Sequence, residues 1–161
     1  MKSCEPFSFI FPPSGMKYFT LKWWLGLQKG RGPDPIEEFQ EHVASIRSAL
    51  PPGFRELYES VALHDAHLRK MEYDAAAQSL EMQLDSYGEQ GQRRRVTLRY
   101  LQVDSFLSTA HPELGLPGPF GYGDLGYDEP YVLPGGLFEH RILFSSGIEL
   151  RIRFGDFKLV V

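Results

Sequence analysis

The sequence predicts an α+β fold in which N-terminal helices pack on an antiparallel sheet of about five or six strands. Two observations lead to this prediction. Apolar residues recur at helical spacing as far as residue 62, and from Leu63 onward they alternate with polar residues. Turn residues separate the alternating segments, and no helical pattern of the kind that connects parallel strands lies between them.

The clearest predicted helix spans residues 34–50. Asp34 and Pro35 suit its N-terminus, and Glu37 would complete a capping box with Asp34. A Pro-Pro-Gly sequence ends this helix, and a second, shorter helix is expected over residues 54–61. The apolar residues of the first helix follow at steps of three and four, so they share one face: Ile36, Phe39, Val43, Ile46 and Leu50.

Alternation of apolar and polar residues predicts each strand of the sheet. It is cleanest in residues 148–154, where every second residue is apolar and the residues between are charged. The run Arg93, Arg94 and Arg95 follows a turn at Gly88–Gly91, which is typical of the solvated end of a hairpin. We expect strands at residues 68–73, 80–85, 96–101, 138–144, 148–154 and 157–161.

The composition bounds the class of protein. The 161 residues suit one domain with a substantial core. The single cysteine, Cys4, excludes an intramolecular disulfide framework and a cysteine-rich zinc module. A net charge of −4 argues against nucleic acid as a partner, and the lack of an apolar run near ~20 residues argues against a membrane. We therefore expect a cytoplasmic protein.

Glycine and proline divide the chain into regions, because they cluster in residues 1–53 and 112–136. Residues 1–15 are expected to form a flexible extension, and Met16 is an alternative start of translation. Residues 16–161 are expected to form the single domain.

Residues 112–136 are predicted to form a long loop, which we call the acidic aromatic segment. It holds four acidic residues and no lysine or arginine, so its charge equals the net charge of the chain, −4. Carboxylates steer and orient a cationic partner, and aromatic rings supply rigid contact area. The segment therefore predicts binding to a basic protein. The residues expected to make the contact are Phe120, Tyr122, Asp124, Tyr127, Asp128, Glu129 and Tyr131.

Two other interpretations of the acidic aromatic segment stay open. It is either a solvated loop whose tyrosines pack back on the sheet, or a contact between two copies of the chain. The sequence does not indicate the oligomeric state.

The histidines suggest an alternative function, a metal-binding domain or a metal-dependent enzyme. His64 and His67 are three residues apart, and His140 with Asp128 would complete a set of ligands for zinc or iron. Such a site needs a helical turn at the first two histidines and one sheet face that holds all four groups. His140 alternates in step with apolar neighbours, which favours a buried structural histidine. No catalytic motif is present, so a non-enzymatic protein without a cofactor is favoured.

Three short motifs resemble a bacterial family of unknown function. They are MKYFT at residues 16–20, LHD at residues 63–65 and the closing amphipathic strand at residues 152–157. Similar small α+β domains occur among the immunity proteins of bacterial toxin systems. The resemblance covers most of residues 16–161. It implies a binding protein and transfers no catalytic residues.

Overall fold

The computed structural model describes residues 15–27, 30, 32–109 and 121–161. It confirms the α+β fold with antiparallel sheets. No helix in this part of the chain combines the length and the apolar character needed to cross a membrane. The helices come first in the chain: α1 (Leu21–Leu27), α2 (Ile36–Ile46), a short 3₁₀ helix (Arg47–Ala49) and α3 (Pro52–Ser60).

Eight strands follow in the described residues and form two four-stranded antiparallel sheets. They are β1 (His67–Asp74), β2 (Ser79–Tyr87), β3 (Arg93–Leu101), β4 (Ser105–Ser108), β5 (Leu125–Leu133), β6 (Leu137–Phe144), β7 (Glu149–Phe154) and β8 (Asp156–Val160). The first sheet has the order β1-β2-β3-β8, and the second has the order β4-β7-β6-β5.

The two sheets are connected on both sides. On one side the chain crosses between the sheets twice, from β3 to β4 and from β7 to β8. The two crossings lie side by side, since β3 pairs with β8 and β4 pairs with β7. Gly155 lies at this crossing, and its N–H is 3.1 Å from the carbonyl oxygen of Leu101. On the other side, Asp65 N–H donates to the Leu125 carbonyl and Leu125 N–H donates to the Ala66 carbonyl, both at 2.8 Å.

The main apolar core lies between the two sheets, with α3 packed against it. Alternate residues of β2, β3, β6 and β7 point into this core, as the period of two predicts. Phe54 of α3 is fully buried and packs edge-on against Phe154, with 5.2 Å between ring centroids. Gly53 permits this close approach, because a Cβ there would lie 3.0 Å from the Phe157 carbonyl oxygen.

The segment before α1, α1 itself and α2 cover part of the outer face of the second sheet. Met16 and Phe19 are buried against Leu143 of β6. Trp24 of α1 lies over Gly126 of β5, where a Cβ would be 2.6 Å from the indole ring. Glycine is therefore needed at this position for the helix to pack so close to the strand.

Two strands were not expected from the sequence, and they account for the difference between eight strands and the predicted five or six. β4 is only four residues long and shows no alternation. β5 contains two acidic residues and a proline, which are typical of a loop, and a bulge between Leu125 and Tyr127 interrupts its alternation. The prediction of a loop over residues 112–136 is therefore wrong for residues 125–133. Residues 112–120 lie outside the described residues.

The described residues test the N-terminal predictions in part. Residues 1–14 of the expected flexible extension lie outside them, and Gly15 donates its N–H to Oε2 of Glu149 at 3.0 Å. The predicted first helix is confirmed in place as α2 and the 3₁₀ helix. Its start is stabilised by Asp34, which accepts a hydrogen bond from the N–H of Ile36 at 3.0 Å.

Candidate functional site

The structure divides the acidic aromatic segment between buried and exposed positions. Phe120 lies outside the described residues. Tyr122 is half-buried and packs on Phe144, with 5.3 Å between ring centroids. Asp124 is exposed, and its Oδ1 is 3.1 Å from Nδ1 of His67. This carboxylate therefore already has a partner within the chain.

Glu129 is completely buried and holds the segment before α1 in place. Its carboxylate accepts hydrogen bonds from three successive backbone N–H groups, those of Lys17, Tyr18 and Phe19, at 2.9, 2.7 and 2.8 Å. The hydroxyl of Tyr131 donates a fourth bond at 2.6 Å. The expectation that Glu129 contacts a partner is wrong, because both of its oxygens are inaccessible and used inside the protein. The hydroxyl of Tyr131 is used there as well.

Asp128 and His140, which the metal hypothesis groups together, do meet, in a buried chain of hydrogen bonds. His140 Nε2 is 2.7 Å from Oδ2 of Asp128, and His140 Nδ1 is 2.6 Å from the Tyr100 hydroxyl. The Tyr58 hydroxyl donates to the same Asp128 oxygen at 2.5 Å. Burial, and then the charge of Asp128, raises the pKa of Tyr58 well above its ordinary value, so this hydroxyl stays protonated. His140 and Tyr100 are fully buried, so a substrate cannot reach them. This chain of hydrogen bonds therefore stabilises the core.

The other two candidate ligands, His64 and His67, have separate partners. His64 Nδ1 donates to the Gly126 carbonyl at 2.6 Å, whereas His67 lies against Asp124. The turn before β1 is not helical, and Asp65 within it has a φ of 63°, in the left-handed region. Among the described residues, no group of three or more His, Cys, Asp or Glu is arranged to hold a metal ion. The hypothesis of zinc or iron has no geometric support in this part of the chain.

A groove of ≈ 360 Å³ opens where α2, the turn before β1 and β5 meet, and we call it the aromatic groove. The ring of Phe19 stacks on Tyr127, with 4.8 Å between centroids and an interplanar angle of 18°. Phe39 packs edge-on against Phe19 at 4.7 Å. The residues that line the groove are Phe19, Ile36, Phe39, Gln40, His64, Gly126, Tyr127 and Asp128.

Three carboxylates give the aromatic groove a negative character. Asp128 lines it with 16% of its side chain exposed. The two hydrogen bonds to this carboxylate described above both end on Oδ2. Burial, and then the negative charges of Asp65 and Asp34, raise the pKa of Tyr127. Both carboxylates are therefore close enough to act electrostatically on the groove.

The sequence pointed to only part of this site. Tyr127 and Asp128 were expected to contact a partner, and His64 was expected as a metal ligand. Phe19 was not singled out, and Phe39 was placed on the apolar face of a helix. That placement predicts burial, but it does not show which strand the helix meets.

A larger depression of ≈ 590 Å³ lies between the end of α3 and the turn that joins β2 to β3. Its charged lining residues, Glu59, Glu89 and Arg94, are of mixed sign. Glu59 is already paired with Arg47, at 2.5 Å. The aromatic groove, whose charges have one sign and whose walls are aromatic, is the better candidate site.

Comparison with known proteins assigns no family to the chain, because no protein family model and no curated protein matches it. The resemblance to a bacterial family of unknown function and to immunity proteins therefore stays a prediction. The function has to be argued from the aromatic groove itself.

Proposed function

We propose that this chain is a non-enzymatic binding protein whose aromatic groove takes a lysine or arginine side chain of a basic protein partner. The observation that carries the proposal is the position of Asp128, which lines a groove whose aromatic wall, at Tyr127, also feels the negative charges of Asp65 and Asp34. The kind of partner is the one that the acidic aromatic segment predicts. The contact residues differ, because part of that segment is buried.

The groove suits a side chain that has an apolar stem and a cationic end. The stem of lysine or arginine buries well against apolar surface, and the cation is attracted to aromatic faces and to carboxylates. Phe39 and Ile36 of α2 supply apolar surface at the opening, since Ile36 is 46% exposed. The partly exposed carboxylate of Asp128 supplies the acceptor for the charged end, and a charge-assisted bond of this kind is stronger than a neutral one.

The exposed carboxylates add attraction from a distance. The side chain of Asp65 is 72% exposed, and Asp34 is exposed at the start of α2. Charges at the rim of an interface mainly raise the rate of association, and salt screens them. We therefore expect binding to weaken as the salt concentration rises.

The chemistry of the groove favours binding over catalysis. Its described lining contains no serine, threonine, cysteine or lysine to act as a nucleophile. The imidazole of His64 is tied by Nδ1 to a backbone carbonyl, and the carboxylate of Asp128 already accepts two hydrogen bonds. The proposal includes the cytoplasmic location that the sequence predicts. An immunity-type role would be one case of such binding, with a basic toxin as the partner.

A titration with short peptides tests the proposal directly. The probe is a capped Gly-Gly-Arg-Gly-Gly peptide, and the control is the same peptide with neutral citrulline in place of arginine. Backbone amide shifts are followed by NMR in isotope-labelled protein. We expect saturable shifts at Gly126, Tyr127 and Asp128 with the arginine peptide, and about fivefold weaker binding of the citrulline peptide, a factor at the upper end of the range of about 0.2–1 kcal/mol for a single exposed charge pair.

Two matched variants localise the effect. Asp65→Asn removes a charge beside the groove and keeps a residue that tolerates the left-handed backbone there. Asp74→Asn makes the same change at the opposite end of β1. We expect Asp65→Asn to weaken binding about threefold and Asp74→Asn to leave it unchanged. Equal binding of the two peptides, or equal loss in the two variants, would overturn the proposal.

A further inference from the structure

Three arginines converge on one buried carboxylate on the outer face of the first sheet, and we call this group the Asp85 cluster. Asp85 of β2 is only 4% exposed. Its carboxylate accepts hydrogen bonds from Arg93 Nη2 and Arg95 Nε of β3, both at 2.7 Å. Arg69 of β1 donates to it through Nε.

The geometry of the strands brings these side chains together. Arg93 and Arg95 are two residues apart on β3, so they point to the same face, and Arg95 is the cross-strand partner of Asp85. Arg69 lies at the bulge in β1, and bulges re-aim side chains. The run of arginines does follow the predicted turn, but two of its members are organised around a carboxylate.

The charges and donors of the Asp85 cluster do not balance. Three guanidinium groups and one carboxylate have a net charge of +2. A carboxylate has about four acceptor positions, whereas each guanidinium has about five N–H donors. Each arginine uses one nitrogen toward Asp85, and Arg95 Nη1 is also 3.4 Å from Oε1 of Gln83. The three arginine side chains are 42%, 60% and 55% exposed, so a ligand in solution can reach them.

The excess of positive charge is local to this cluster. An open depression of ≈ 440 Å³ is lined by the three arginines and Asp85. On the same face, Arg99 and Glu81 form a balanced pair, in which Nε and Nη2 donate to Oε2 at 3.0 and 2.8 Å. One face of one sheet therefore holds both a neutralised arginine and a group of arginines with donors to spare.

We propose that the Asp85 cluster binds the phosphate group of a phosphate monoester. Such a group carries about −1.5 to −2 charges near neutral pH and has three terminal acceptor oxygens. Planar guanidinium groups bind these oxygens through paired N–H donors. The buried carboxylate holds the arginines in position before the ligand arrives, which reduces the conformational freedom lost on binding. The ligand is either a small phosphorylated molecule or a phosphorylated side chain of a protein.

This proposal goes beyond the proposed function and does not depend on it. The aromatic groove is negative and takes a cation, whereas the Asp85 cluster is positive and takes an anion. The failure of one proposal leaves the other unaffected.

A titration followed at the arginine side chains tests the proposal. The probes are inorganic phosphate, a capped phosphoserine peptide and dimethyl phosphate, and NMR reports the Nε–Hε resonances. We expect saturable shifts at Arg69, Arg93 and Arg95, with binding of inorganic phosphate about tenfold tighter than that of the singly charged dimethyl phosphate. Tighter binding of the peptide than of phosphate supports a phosphoprotein as the source. Equal binding supports a small phosphorylated molecule.

Variants on one strand provide the control. Arg93→Gln and Arg95→Gln are each expected to weaken phosphate binding about tenfold. Arg99→Gln, on the same strand and face, is expected to change it less than about twofold. If Arg95→Gln does not fold, Arg93→Gln decides the question, since its side chain is 60% exposed near the end of β3. Absence of saturable shifts, equal binding of dimethyl phosphate, or equal loss with Arg99→Gln would overturn the proposal.

Discussion

Each sheet has a buried carboxylate on its outer face that lies against three arginine side chains. In the first sheet, Asp85 forms the cluster described above. In the second sheet, Glu139 is bound by Arg141 at 2.5 Å, and two arginines of β7 lie at 3.6 and 3.3 Å from its oxygens. In both clusters one buried carboxylate lies within 4 Å of three arginine side chains. Their surroundings are different.

The Glu139 cluster is less exposed than the Asp85 cluster. Around Glu139 the side chains of Arg141 and Arg151 are 20% exposed and that of Arg153 is 39% exposed, whereas the arginines around Asp85 are 42% to 60% exposed. The Arg141 guanidinium lies 3.9 Å from the centroid of the Tyr131 ring, and the hydroxyl of that ring binds Glu129. The cluster in the second sheet is thus part of the structure that holds the N-terminal segment. We infer that solvent exposure, and not charge alone, decides whether such a cluster stabilises the fold or is open to a ligand.

The largest expected effect on stability comes from a substitution at Glu129, the buried carboxylate that holds the N-terminal segment on the second sheet. Glu129→Gln replaces a buried carboxylate that accepts four hydrogen bonds with an amide that accepts fewer. We expect the free energy of unfolding to fall by about 4 kcal/mol, because buried donors lose a charged acceptor. Urea unfolding gives this value, and hydrogen exchange of the Lys17, Tyr18 and Phe19 amides should accelerate.

Tyr131→Phe is the matched control for that variant. It removes one of the four bonds and keeps the carboxylate, so we expect a loss of about 1 kcal/mol. Equal stability of Glu129→Gln and wild type would contradict the role given to this carboxylate.

The next effect compares the two clusters directly. Glu139→Gln removes a buried carboxylate that lies against three arginines, two of which are only 20% exposed, and we expect a loss of about 3 kcal/mol. Asp85→Asn leaves arginines that water can solvate, so we expect a loss of about 1 kcal/mol or less. Denaturant midpoints of the two variants check the order. A larger loss for Asp85→Asn would show that the open cluster is the more structural of the two.

The smallest effect is a dependence of stability on pH. Burial would raise the pKa of Asp85, but the hydrogen bonds and charges of Arg69 and Arg95 outweigh burial and lower it. The native state therefore binds a proton less readily than the unfolded chain. The resulting stabilisation is complete above the unfolded pKa of about 3.9 and is lost as the pH falls through the lowered native value.

Asp85→Asn removes this titration. The difference in unfolding free energy between wild type and the variant should shrink as the pH is lowered from 6 towards 2, as measured by urea unfolding at each pH. A difference that stays constant over this range would show that the three arginines do not stabilise the charged form of Asp85.

Much of the fold follows from sequence pattern, and the exceptions have physical causes. Helix α2 and most of the strands were expected from the spacing of their apolar residues. That spacing puts the apolar residues on one face of each element, and this face has to be buried. β5 was not expected because its two acidic residues are bound within the protein on opposite faces of the strand. Glu129 is buried and accepts hydrogen bonds from backbone N–H groups that lie 110 to 112 positions away in the chain. A buried carboxylate and a solvated one look the same in a sequence.

The candidate sites were less predictable than the fold, for a related reason. Charge composition drew attention to Tyr127 and Asp128, which do line the aromatic groove, but the groove also needs Phe19 and Phe39 from distant elements. Arg93 and Arg95 were visible as part of a run. Their carboxylate, Asp85, becomes apparent only once the register of β2 against β3 is known.

The most direct test of the contrast between the two clusters is one NMR titration that observes both. Wild-type protein is titrated with inorganic phosphate while the Nε–Hε resonances of the six arginines in the two clusters are followed. We predict saturable shifts at Arg69, Arg93 and Arg95 and unchanged resonances at Arg141, Arg151 and Arg153. Equal shifts in the two sets, or shifts at the Glu139 cluster alone, would contradict the claim that solvent exposure decides which cluster binds a ligand.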